Sequence, residues 1–190
     1  MDRFVSTFTN KIDAKGRVSI PAPFRVVLER DGYTGGAAGA SGGAKSSQTS
    51  AQPGASIYCY PAIGAAALDA GGERLARKID ALLAGLADYS DERDELSVAL
   101  YGDVQVLNVD GDGRIVLPES LRAHAGLGSQ VTFVGLGDKF QIWEPAQFEH
   151  RRARAREKAQ DHRKLFSDGL KGGGATRLAT DQAKDDNDGA

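Results

Sequence analysis

Two short stretches of this chain set an aspartate, a glycine and an arginine at the same intervals: Asp13-Ala14-Lys15-Gly16-Arg17 and Asp110-Gly111-Asp112-Gly113-Arg114. Each reads as a tight turn. Asp13 and Asp110 can fold their carboxylates back onto backbone NH groups, and Gly16 and Gly113 supply the positive φ that reverses the chain. An arginine beside such a turn can approach a polyanion closely. Its planar guanidinium clamps a phosphate or pairs in bidentate fashion with guanine. Arg17 and Arg114 are the matching positions, and Lys15 adds a phosphate contact in the first copy alone. Asp112 stands where Lys15 would be in the second copy, which makes that turn electrostatically weaker, so the first is expected to dominate affinity.

The repeat extends beyond the turns. Val18 matches Ile115, Ile20 matches Leu117, Pro21 matches Pro118, Phe24 matches Leu121 and Arg25 matches Arg122. In Arg17-Val18-Ser19-Ile20 apolar and polar residues alternate, as in a half-buried strand, and Pro21 suits the first turn of a helix. Phe24, Val27 and Leu28 then form an apolar stripe at helical spacing. Phe4 to Ile12 reads as a strand that enters the first turn and makes a hairpin with residues 17–20. Arg25 and Arg122 either touch the same anion as the turns or hold a turn aspartate or carbonyl, and the structural role is the favoured one.

Residues 35–54 are Gly, Ala, Ser and Gln with one Lys, one Thr and one Pro, and read as a surface loop. Matching Ile57-Tyr58-Cys59-Tyr60-Pro61 to Gln141-Ile142-Trp143-Glu144-Pro145 gives the first copy a surplus of 13 residues (61 − 25 against 145 − 122), which that loop accommodates. Between the copies, Leu75, Ile79, Leu82, Leu83 and Leu86 define an amphipathic helix, and Ser90-Asp91-Glu92 opens another. Val104 to Val109 reads as a strand, as do the stretches around Val131–Val134 and Phe140–Trp143, with Trp143 expected in the core or an interface. A helix after Pro145 carries seven cations against two anions over residues 151–164, a net +5. That pattern suits a solvated face or contact with phosphate or an acidic partner.

Composition bounds the function. The chain has 190 residues, 41% hydrophobic and 26% charged, with a net charge of −2, enough to bury a core. An overall negative charge does not exclude a nucleic-acid partner, because phosphate responds to the local field. One cysteine, Cys59, rules out an internal disulfide. The three histidines, His124, His150 and His162, fall on no metal-ligand spacing, so neither metal nor cofactor is expected. No apolar run is long enough for a membrane span. The sequence lacks a nucleophile elbow, a phosphate loop or a histidine metal motif, so neither an enzyme nor a small-molecule substrate is expected.

The paired turns, their spacing and Gly137-Asp138-Lys139-Phe140-Gln141-Ile142-Trp143 together resemble the MraZ family of bacterial transcriptional regulators, over about Phe4 to Phe166. The resemblance implies an α+β fold of two swapped-hairpin, SpoVT-AbrB-like repeats that form a pseudo-dimeric β-barrel with linking and C-terminal helices. It divides the chain into a first domain at 7–63 containing the insertion, linking helices at 64–102, a second domain at 103–146 and a basic helix at 147–166; residues 167–190, Gly- and Asp-rich with almost no apolar content, read as a disordered tail extra to the family core. It implies binding to double-stranded DNA at short repeated sites, in the promoter of the division and cell-wall gene cluster that includes the protein's own gene. It also implies a homo-oligomer, a ring, in the cytoplasm and nucleoid. The alternative is an AbrB-like antitoxin or oligomeric scaffold that binds a protein through its basic C-terminal helix. Where many members have Phe-Arg-Gly in the first strand, this chain has Phe4-Val5-Ser6, and Arg3 is the nearest substitute.

Overall fold

The computed structural model describes residues 2–31 and 56–161, so the 35–54 insertion and the 167–190 tail lie outside the described residues. The fold is α+β. Its strands are β1 (Thr7–Lys11), β2 (Arg17–Ser19), β3 (Ser56–Pro61), β4 (Ala67–Gly71), β5 (Gln105–Asn108), β6 (Arg114–Val116), β7 (Gln130–Gly135) and β8 (Phe140–Trp143). Its helices are α1 (Ala22–Asp31), α2 (Glu73–Ala84), α3 (Asp91–Ser97), which runs into a π-helical turn at Val98–Gly102, α4 (Glu119–His124) and α5 (Pro145–Asp161).

Six strands form one antiparallel sheet in the order β1-β7-β8-β4-β3-β5, and β2 and β6 form a separate two-stranded ribbon. The sheet is open, ending at β1 and β5, and does not close into the expected barrel. Exchanging β1 with β5, β3 with β7, β4 with β8 and β2 with β6 leaves both orders unchanged. Registers obey the same exchange: Asp69 lies opposite Gln141 at the centre of the sheet, and Val18 opposite Ile115 at the centre of the ribbon.

These registers replace two expectations. The first strand does not form a hairpin ladder with residues 17–20. β1 pairs with β7 and β2 with β6, and only the single bridge Ile12–Val18 joins the two neighbours. A three-residue β2 gains little from a local partner, whereas pairing with β6 turns Val18 and Ile115 inward together, both 1% exposed. The second replacement concerns the match between copies. Because Ile57 lies opposite Leu107 and Val131 opposite Asn10, Ile57 corresponds to Val131, and 141–143 corresponds to β4. The first copy therefore carries 32 residues (57 − 25) where the second has 9 (131 − 122), a surplus of 23 rather than 13. Residues 64–102, expected as linking helices, accordingly begin with a strand. Ala67-Leu68-Asp69-Ala70-Gly71 has little intrinsic strand preference, yet all five residues are buried.

The core draws on both halves. Phe24 of α1 is fully buried and meets Phe4, Phe8, Phe133 and Phe140 with ring centroids 5.2–6.4 Å apart, mostly edge to face. Leu28, Ile20, Leu117 and Leu121 pack in the same cluster. On α2, Leu75, Ile79 and Leu83 are buried with Tyr60 and Leu100, whereas Leu82, part of the expected stripe, is half exposed. Trp143 is buried, as expected, and packs with Phe148 while its Nε1 donates to Gln141 Oε1 at 2.9 Å.

Helix ends are set locally. The Ser90 hydroxyl accepts from the Arg93 amide and caps α3, whose first turn holds Asp91, Glu92 and Asp94. At α2 the capping position is Gly72, and the carboxylate of Asp31, from the end of α1, accepts from the Arg74 amide at 3.1 Å in its place. A side chain at Gly72 would strike that carboxylate. Within α5 Arg152 pairs with Glu149 at 2.6 Å.

Candidate nucleic-acid interface

The turns are built alike. Asp13 Oδ1 accepts from the Lys15 and Arg17 amides, both at 2.9 Å, and Oδ2 accepts from Arg17 Nε at 2.7 Å. Asp110 repeats the pattern with the Asp112 amide at 3.0 Å, the Arg114 amide at 2.9 Å and Arg114 Nε at 3.0 Å. Gly16 and Gly113 take φ of +77° and +74°, where a side chain is strained, and donate their amides to the Asp13 and Asp110 carbonyls. The aspartates are thus turn-formers that also grip the neighbouring arginine. The backbone NH of Arg17, and next its side chain, hold the Asp13 carboxyl below the usual carboxylate range. At Asp110 the Arg114 backbone NH does the same, followed by its side chain.

The ribbon presents the arginines. Arg17 lies opposite Val116 and Ser19 opposite Arg114, so with Val18 and Ile115 turned inward these four share the outer face. Diagonal neighbours of this kind sit about 7–8 Å apart at the backbone. Each turn is tied to the other strand: Leu117 N donates to Gly16 O and Ile20 N to Gly113 O, both at 2.9 Å. Asn10 Nδ2 donates to the Ser19 carbonyl at 2.6 Å and anchors the ribbon to β1, a role its sequence position did not signal.

The two turns differ in charge. Arg17 uses only Nε on Asp13, and neither its terminal nitrogens nor the Lys15 ammonium has a carboxylate partner among the described residues. Arg114 is held by Asp110 through Nε and by Asp112 through Nη2. Together these carboxylates hold the Arg114 guanidinium more firmly protonated, the hydrogen bond to Asp110 acting most. Asp13, Lys15 and Arg17 sum to +1, and Asp110, Asp112 and Arg114 to −1.

The remaining sequence candidates lie elsewhere. Arg25 Nη1 donates to the Asp112 carbonyl at 3.3 Å and lies against Gly113, the turn of the other copy. Arg122 lies against Gly16, and its Nε is buried without a hydrogen-bond partner among the described residues. Arg3 is beside Gly137 and Asp138, at the opposite end of β1 from the Asp13 turn. There Lys78, first by its hydrogen bond, keeps the Asp138 carboxyl below its ordinary range, with smaller effects from Arg3 and Arg74.

Among the described residues no group of three or more His, Cys, Asp or Glu is placed to hold a metal, and no helix is long and apolar enough to cross a membrane. Cys59 is buried, and burial pushes its thiol pKa up, which keeps it protonated and unreactive.

Fold and site define an α+β protein of two interleaved halves with one exposed, arginine-bearing ribbon. Residues 100–167 match the family described as "MraZ protein, putative antitoxin-like". Among similar proteins, the transcriptional regulator MraZ of Beijerinckia indica is 50% identical over 167 residues, 88% of this chain and 89% of that protein. That of Azorhizobium caulinodans is 47% identical over 89% of this chain and 94% of its own, and that of Gluconacetobacter diazotrophicus 39% identical over 92% and 99%. The chain belongs to the MraZ family.

Proposed function

We propose that this protein is a DNA-binding transcriptional regulator that applies the outer face of the β2–β6 ribbon to duplex DNA, through Arg17, Lys15 and Arg114. The observation that carries this reading is the placement of both turn arginines on one exposed face of a two-stranded ribbon, a shape that a major groove of about 12 Å admits. The names of its relatives support the regulatory role. The exchangeable strand order supports reading 7–63 and 103–146 as two SpoVT-AbrB-like repeats in a pseudo-dimer. The target is the promoter of the division and cell-wall gene cluster, including the protein's own gene. Copies assemble as a homo-oligomeric ring, so that several weak ribbons on repeated short sites bind at high effective concentration. The protein acts in the cytoplasm, on the nucleoid. No catalytic role is proposed.

The test is fluorescence anisotropy with the DNA upstream of the protein's own gene and with a scrambled duplex, over a salt series. Wild type should prefer its own promoter; Arg17→Ala should lose that preference, and Arg114→Ala should lose less of it. Absence of salt-sensitive binding to either duplex refutes the reading. It would favour the second one, a protein binding a partner through α5, for which the family description supports only the antitoxin-like character.

A further inference from the structure

We infer that Arg25 and Arg122 are positioning residues that act across the repeats, Arg122 setting the Asp13–Arg17 turn and Arg25 the Asp110–Arg114 turn. This rests on the proposed DNA-binding role of those turns. Each helix arginine belongs in sequence to one copy and in space to the turn of the other. The Arg25 side chain runs under Gly113 so closely that a Cβ there would overlap it, and its Nη1 holds the Asp112 carbonyl at 3.3 Å. At Gly16 a Cβ would come within 2.8 Å of the Leu117 carbonyl oxygen and 3.4 Å of Arg122 Nε. Only glycine lets the turn rest on the guanidinium.

The geometry separates this role from direct DNA contact. Arg122 Nε is buried against the turn and makes no hydrogen bond among the described residues. A donor sealed behind the backbone of the ribbon serves the turn rather than an anion in front of it. The turn it backs in turn fixes Arg17, since Asp13 holds both the backbone NH and Nε of Arg17. Displacing the support therefore disorders the arginine that faces DNA. By the same chain of contacts Arg25 acts on Arg114. The electrostatically stronger first turn is thus governed by a side chain about a hundred positions away in sequence.

The test combines two readouts on the full chain. Without DNA, amide hydrogen exchange should rise at Gly16 and Arg17 in Arg122→Ala, and at Gly113 and Arg114 in Arg25→Ala. The core amides of Phe133 and Ile142 report global stability, and Arg122→Lys, which keeps stem and charge, should restore most of the protection if Arg122→Ala proves too unstable to read. With DNA, Arg122→Ala should weaken binding ~3- to 30-fold, within the range of coupled side chains. On the Arg17→Ala background both the loss and any change of salt slope should vanish, whereas on the Arg114→Ala background the loss should persist. A slope shallower by a further ~0.9 when Arg122→Ala is added to Arg17→Ala would make Arg122 a phosphate contact and overturn the inference. So would exchange that rises in the turn of its own repeat, or equally in both. If wild type fails to bind DNA while the crossed exchange pattern holds, the proposed function falls and the positioning stands.

Discussion

Replacing Asp112 by a lysine should give the second turn the electrostatics of the first. The position allows it: the hydrogen bond from residue 112 to Asp110 comes from the backbone amide, as does that from Lys15 to Asp13, so the backbone of the turn does not need the carboxylate. The Asp112 side chain is 71% exposed and its pair with Arg114 lies in solvent, so its loss should change stability by only about 0–1 kcal/mol. The charge of the turn rises from −1 to +1. Two cations become available to phosphate, the introduced ammonium and the Nη2 of Arg114 released from Asp112. Each new phosphate contact steepens the dependence of log K on log salt by about 0.9, so the slope should grow by roughly 0.9 to 1.8. Between 50 and 200 mM salt this adds about a 3.5- to 12-fold further loss of affinity, read from a starting affinity that is higher at low salt. Fluorescence anisotropy on the upstream duplex at four or five salt concentrations measures it. Asp112→Asn, which frees Arg114 without adding a cation, should fall between wild type and the lysine variant. An unchanged slope for Asp112→Lys, with the fold intact by circular dichroism, would show that the second turn does not face DNA.

Four other outcomes follow from the same geometry. Gly16→Ala must place a side chain at φ +77° and 2.8 Å from the Leu117 carbonyl oxygen, and should lose ~1–3 kcal/mol in chemical denaturation; Gly113→Ala, equally strained in φ, should lose less, because its Cβ meets the flexible Arg25 side chain, which can move aside, rather than backbone. Phe24→Ala removes a fully buried ring that joins residues from both halves, so it should cost about 3–5 kcal/mol and lower a single unfolding transition rather than split it. Asp13 has a folded-state pKa below the unfolded 3.8, so the stability it contributes is complete above that value and is lost as pH falls through the folded pKa. Carboxyl carbon shifts followed by NMR should give a midpoint below 3.8 for Asp13 and Asp110, and a midpoint at or above it would contradict the hydrogen-bonded turn. Asn10→Ala should leave the fold intact but raise amide exchange along β2, since it removes the bond to the Ser19 carbonyl.

The turns were legible in the sequence because their chemistry is local. A carboxylate accepting amides two and four residues ahead, and a glycine at positive φ, need no distant partner, and Asp13, Gly16, Asp110 and Gly113 could be read directly. The α1 stripe of Phe24, Val27 and Leu28 and the Ser90 cap of α3 were legible for the same reason. Tertiary structure alone decided which strands pair. Period-two alternation says which face of β1 or β2 is apolar but not whose edge it meets, and the answer was β7 and β6 rather than each other. It also decided β4, whose Ala and Gly carry little strand preference and become a strand by burial between β3 and β8. The matched Arg25 and Arg122 could be seen in the sequence, but their destination could not: each reaches the opposite turn because the halves interleave, and that follows from long-range pairing, to which local sequence is blind.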